Sequence, residues 1–186
     1  MNKLILSLFS LALAFNFASA QDTLFTKTGR ISFYSKALNE DNEAHNKKVT
    51  TIVNTKTGAM EFGVLIKAFE FEKALMQEHF NENYMESDKY PKSTFVGKID
   101  NLSEVKFEKD GVYTAKISGD LTIHGVTKKV NTTGTFTVKS GAVKGDATFM
   151  VLLEDYKIAI PAVVKDKVSK DIKVVVDVNL TRFGAK

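Results

Sequence analysis

The run from Asp171 to Thr181 constrains the fold more than any other stretch of the chain. Ile172, Val174, Val176, Val178 and Leu180 take every second position, and Lys173, Val175, Asp177, Asn179 and Thr181 stand between them. Successive side chains of an extended strand point to opposite faces, so a period of two describes a strand buried on one side only. Such a strand needs neighbours to cover its edges. The chain contains no cysteine, so apolar burial rather than disulfides must hold those neighbours together.

The rest of the sequence supplies the neighbours. Arg30 to Ser35 alternates, with Ile31 and Phe33 on one face, and Val49 to Val53 is rich in β-branched residues. Asn54 to Gly58 reads as a turn, after which Ala59 to Phe71 alternates again, with Gly63 as a bend or bulge. Thr94 to Ile99 is a further strand. Val105 to Phe107 is expected to pair with Val112 to Ile123 across the turn Glu108 to Gly111. His124-Gly125 turns into Val126 to Val138, and Lys139 to Gly141 turns into Ala142 to Leu153. Gly119, Gly134 and Gly145 fall inside strands and point to a strongly coiled sheet. Ile158 to Val164, interrupted by Pro161, reads as an edge or crossing segment, and Ser35 to Lys48 as a long polar connection.

One segment breaks the period of two. Glu72 to Phe80 holds good helix formers, and Leu75, Met76, His79 and Phe80 share one helical face. Asn81 to Tyr90 is polar, either a second turn or an irregular loop, and Pro91 ends it. The sum is an all-β fold of about eight antiparallel strands with a short helix. An up-and-down barrel is the simplest arrangement that leaves no exposed edge.

Residues 1–20 read as a signal peptide. Lys3 gives the positive start, Leu4 to Phe17 the apolar run, and Ala18-Ser19-Ala20 the cleavage site, with Gln21 the first mature residue. Residues 21–186 are then one domain, and a periplasmic or secreted location follows. The charge balance, 26 Lys and Arg against 22 Asp and Glu, is mild and scattered. It lacks the basic stripe of a nucleic-acid surface.

The chemistry-bearing residues form no recognisable site. His45, His79 and His124 lack metal-ligand spacing, the carboxylates lie in charged stretches, and neither a nucleophile elbow nor a phosphate loop occurs. No catalytic residue, metal or cofactor is therefore expected. The positive signal is aromatic: the sequence has 14 Phe and 5 Met, many on strands or the helix. They could fill a solid core or line an apolar cavity, since a barrel of about eight strands can do either.

Two blocks then carry a resemblance. Phe69 to Gly97 contains the helix with its Ala74-Leu75-Met76 run and His79-Phe80 pair. Ser87, Lys89, Tyr90, Pro91, Phe95 and Gly97 follow at fixed spacing. Gly119 to Thr127, with Gly125-Val126-Thr127 at its end, is the second block. Both are similar to the YceI-like family of polyisoprenoid-binding proteins, over roughly residues 24 to 182. At the front the chain departs from that family, having Thr28-Gly29-Arg30-Ile31-Ser32-Phe33 without the usual histidine.

The resemblance implies a lipocalin-like extended antiparallel barrel that is exported and binds, stores or transports an amphiphilic lipid without catalysis. It implies a long-chain isoprenoid, a polyisoprenoid or isoprenoid quinone, as partner, with transient membrane contact. A lining role falls to Phe33, Phe62, Leu75, Met76, Phe80, Phe95, Phe149 and Met150, with Lys89, Tyr90 or His124 meeting a head group. Two other readings stay open. One is a structural or interaction module with a solid core, docking through the charged segment Glu40 to Lys48. The other is an enzyme acting on an apolar ligand, which needs a carboxylate or histidine facing inward with a polar partner. Dimerisation is left open.

Overall fold

The computed structural model describes residues 22–38 and 40–183, so the signal-peptide reading of residues 1–20 lies outside the described residues. Nine strands form one sheet. They are β1 (Thr23–Lys36), β2 (Asp41–Asn54), β3 (Ala59–Leu65), β4 (Phe69–Glu70), β5 (Lys92–Ile99), β6 (Gly111–Ile123), β7 (Val126–Lys139), β8 (Ala142–Leu152) and β9 (Asp171–Arg182). The order is β1-β9-β8-β7-β6-β5-β3-β2, and β2 pairs back onto β1, which closes eight strands into an antiparallel, lipocalin-like barrel. The two-residue β4 is a stub on β2, at His45 and Asn46.

Closure follows from the alternation. Each strand sends every second side chain inward, and a closed ring covers all of them without leaving an edge. β1 and β2 each run 14 residues, or roughly 45 Å at the usual rise. This lengthens one wall of the barrel. Here the sequence expectation needs correction: Asp41 to Lys48 is strand, not polar connection. Its charged residues Asp41, Glu43, Lys47 and Lys48 face water, while Ala44 and Asn46 are fully buried. A strand that alternates charge with one alanine and one asparagine hides its period.

Three further expectations are corrected. Val105 to Phe107 is not a strand. It follows a 3-10 turn at Leu102–Glu104, and Val105 and Phe107 plug the barrel end, with Phe107 edge-on to Phe136 at 5.1 Å. Gly63 causes no bulge, because its pairings to Thr50 and Thr94 stay in register. The register breaks instead in β1 between Thr26 and Ile31, around Gly29. The helix α1 (Ala74–His79) starts later than the sequence suggests and continues as one wide π turn at Phe80–Tyr84. Ile158 to Val164 does cross an end of the barrel, as a chain with one 3-10 turn at Ala162–Val164 rather than as a strand.

The interior is solid in one half. Leu24, Val53, Met60, Ile99, Phe107, Phe136 and their neighbours pack as one cluster. Above it, Asn46 holds a seam in the wall. Where β3 gives way to the turn Ile66–Ala68, Asn46 donates from Nδ2 to the Leu65 carbonyl at 2.8 Å, and its Oδ1 accepts from the Lys48 N–H at 2.8 Å. Removing it takes away both of these hydrogen bonds at a fully buried position. Asn46→Ala is expected to destabilise the protein by about 2 kcal/mol, read as a lower midpoint in urea with an unchanged slope.

Candidate functional site: an apolar cavity under the helix

The other half of the barrel is hollow. A cavity of about 390 Å³ lies between the barrel walls and α1. Strand parity builds its walls: Ile31 and Phe33 from β1, Val64 from β3, Leu121 from β6, Phe149 from β8 and Val174 from β9 all line it. One inward position deeper on β3 and β5 stand Phe62 and Phe95, with ring centroids 6.1 Å apart and close to edge-on. They do not line the cavity directly, but pack against the solid cluster on one side and the clusters around the cavity on the other, and so stand beneath its lining as a floor.

The lid is aromatic. Phe33 stacks with Phe80 at 5.3 Å, and Phe69 and Phe71 meet Phe80 at 5.5 and 5.1 Å. Phe80, at the end of α1, thus ties the helix to β1 and to the β4 stub. Met76 and Tyr84 complete the lid, and burial raises the Tyr84 hydroxyl above its ordinary pKa, so it stays neutral. The chain after β8 folds over the mouth and is pinned there. Ser169 donates its N–H to Ser35 Oγ at 2.8 Å, and Asn42 Nδ2 donates to the Lys167 carbonyl at 2.8 Å.

The structure brings together most of the residues singled out from sequence. Phe33, Leu75, Met76, Phe80 and Phe149 line the cavity. Phe62 and Phe95 lie just beneath it as the floor. Met150 does not belong there: it follows Phe149 on β8, so its side chain points outward, and it is 58% exposed. Several lining residues escaped the sequence reading, Phe69, Phe71 and Tyr84 among them. Parity carried on from Met60, Phe62 and Val64 would put Phe69 and Phe71 on the outer face; the 3-10 turn at Ile66–Ala68 resets the period and turns them inward. Parity does not reach Tyr84 either, because it sits on a π turn.

Lys89, Tyr90 and His124 are not cavity residues. Tyr90 and His124 form a latch beside it, with the Lys89 ammonium over the Tyr90 ring. His124 Nε2 lies 2.8 Å from Glu86 Oε2, its Nδ1 lies 3.2 Å from the Tyr156 carbonyl, and the Tyr90 ring stands edge-on to the imidazole at 4.6 Å. Both His124 and Glu86 hold positive φ, 51° and 41°, a conformation that side chains other than Gly, Asn and Asp adopt at some cost. The latch joins the segment after α1 to the β6–β7 turn. Glu86→Ala is expected to cost about 1 kcal/mol, discounted for the exposed carboxylate, and to speed amide hydrogen exchange across residues 80–90.

Glu40, Asn42, His79 and Lys167 supply the charged, imidazole and amide groups of the lining, toward the mouth, and Ser35, Tyr84 and Ser93 add hydroxyls. Glu40 is paired with Lys73, Oε1 to Nζ 3.3 Å. Among the described residues no group of three or more His, Cys, Asp or Glu side chains could hold a metal ion.

The model of the YceI-like domain matches residues 14–180. The chain belongs to the YceI-like family. Solved structures show the same fold at low identity. A polyisoprenoid binding domain from Saccharophagus degradans, implicated in plant cell wall breakdown, superposes with a TM-score of 0.76 at 12% identity, covering 87% of this chain and 99% of that one. BcnA of Burkholderia cenocepacia gives 0.68 at 16% identity, covering 82% and 96%. A YceI protein of Campylobacter jejuni gives 0.51 at 16%, covering 72% and 82%. No curated protein matches the chain in sequence. The long β1–β2 wall and the plugged half thus belong to a YceI-like barrel.

Proposed function

We propose that this YceI-like protein binds an amphiphilic lipid, to carry or store it, with the apolar tail inside the cavity and the head at the mouth. The observation that carries the reading is the cavity itself, about 390 Å³ walled mainly by aliphatic and aromatic side chains, with Glu40, His79 and Lys167 its only chargeable lining groups apart from the Tyr84 phenol among the described residues. Each methylene moved from water into such a space contributes about 0.8 kcal/mol. A tail of modest length therefore outweighs the cost of ordering it. The polyisoprenoid-binding relative from Saccharophagus degradans supports a lipid, and an isoprenoid lipid in particular.

Binding is favoured over catalysis by the placement of the polar groups. Glu40 and His79 reach the mouth, but Glu40 is engaged by Lys73, and His79 has no hydrogen-bond partner among the described residues. An acid–base pair at a reacting atom needs its members within hydrogen-bond reach of each other or of one substrate. A wholly solid interaction module is disfavoured by the hollow half. Organic extraction of the protein purified from its native host, followed by mass spectrometry, tests the reading. A stoichiometric lipid is expected; a lipid-free protein that also takes up no isoprenoid or acyl amphiphile would overturn it.

Export fits this role, since a lipid carrier outside the cytoplasm works beside membranes and would touch them transiently. It is supported by the leader at residues 1–20. Intact mass of the mature protein is expected to correspond to a chain beginning at Gln21.

A further inference from the structure

The size of the cavity and the charges at its mouth narrow the ligand class. The barrel is hollow only above the Phe62–Phe95 floor. Phe95 cannot swing down easily, because its ring already lies against Gly97 and Gly119; a Cβ built on them would meet it at 2.4 and 2.6 Å. The tail space is therefore bounded at one end by packed rings and open only at the mouth. An apolar cavity of about 150 Å³ holds one benzene, six carbons, so by proportion one of 390 Å³ holds on the order of fifteen carbons.

The mouth carries a charge preference. Of its charged groups, Glu40 is already matched by Lys73. Lys167 has no side-chain partner among the described residues, and neither has His79. The donors left over are thus one ammonium and one imidazole, from two different elements: Lys167 on the chain that crosses the mouth, His79 on α1. They suit an anionic head better than a neutral one.

We infer that the ligand of this cavity is a single-chain amphiphile with a tail of about fifteen carbons and an anionic head, with Phe62 and Phe95 setting the tail length and Lys167 meeting the head. This rests on the lipid-binding reading above. A three-unit prenyl chain and a fatty acyl chain both satisfy it. A longer chain would leave its excess outside the mouth.

The test is a titration of the delipidated protein with octanoate, laurate, palmitate, arachidate and montanate, with farnesyl phosphate and undecaprenyl phosphate beside them. Affinity is expected to rise several-fold per added methylene as far as palmitate and to flatten beyond it. Palmitate is expected to bind about tenfold more tightly than hexadecanol, and Lys167→Ala to erase that difference, as loss of one charge-assisted contact does. Phe62→Ala is expected to move the plateau to longer acids, with Phe62→Leu as the conservative comparison. The order of farnesyl phosphate and palmitate identifies the tail; either order supports the inference. Affinity that climbs through montanate and undecaprenyl phosphate would overturn the length limit and leave lipid binding standing. Equal affinity for palmitate and hexadecanol would overturn the anionic head. Failure of every amphiphile to bind would overturn the lipid-binding reading as well.

Discussion

Replacing Gly97 by valine is expected to cost the protein several kcal/mol of stability and much of its cavity. Gly97 and Gly119 face each other across β5 and β6. A Cβ on Gly97 would lie 2.4 Å from the Phe95 ring and 2.4 Å from the Ser118 carbonyl oxygen. The ring can move alone, but the backbone oxygen belongs to the neighbouring strand and moves only if the ladder moves. Overpacking in a tight core costs about 1–3 kcal/mol, and more where backbone must give. At about 2–4 °C per kcal/mol for a domain of this size, a drop in Tm on the order of 10 °C is expected. The opposite outcome is expected at Gly63, where an added Cβ meets nothing within 4 Å. Gly63→Ala should be stabilising by about 0.4–1 kcal/mol through the unfolded chain. Two strand glycines thus differ in sign, and calorimetry on the pair separates close packing from a general intolerance of substitution.

A second pair of substitutions separates the inside of the barrel from the outside at adjacent positions. Phe149→Glu places a carboxylate in the cavity wall, where Phe149 packs against both interior clusters. An apolar tail seated there would desolvate the charge, at a cost of about 3 kcal/mol or more. Lipid affinity should fall at least about a hundredfold. Met150→Glu makes the same chemical change one residue later, on a side chain 58% exposed. Its affinity should stay within about twofold, and its stability within about 0.5 kcal/mol. Titration of both variants with one fluorescent lipid reads the difference directly. Comparable losses in the two would place the ligand on the outer surface.

The contrast between these two residues also shows how far the sequence could be read. Alternation alone gave the inward row of β9, and the same parity places Phe33, Phe62, Phe95 and Phe149 on inner faces. Parity argues equally against Met150, which no strand can turn inward together with Phe149. The choice between solid core and cavity was not legible, and the structure shows why: both are present at different levels of one barrel. Phe107 and Phe136 fill one half, whereas Phe33 and Phe80 line the other. Composition counts phenylalanines but does not assign them a height along the barrel. The mouth was hidden for a different reason. Lys167 reaches it only because the chain after β8 folds back onto β1, through a hydrogen bond between Ser169 and Ser35 that spans 134 positions. No local pattern encodes such a contact. The His124 latch lay between these extremes: the turn at His124-Gly125 could be read, but its partner Glu86 could not.

Photo-crosslinking tests the tail-in-cavity claim most directly, using a palmitate analogue with a diazirine at the end of its chain. Peptide mapping after irradiation is expected to find the label on the floor and the deep wall, at Phe62, Phe95 and Leu121, and excess unlabelled palmitate should compete it away. Label on the outward-facing Val96, Val112 and Met150, with Phe62, Phe95 and Leu121 unmodified, would contradict it.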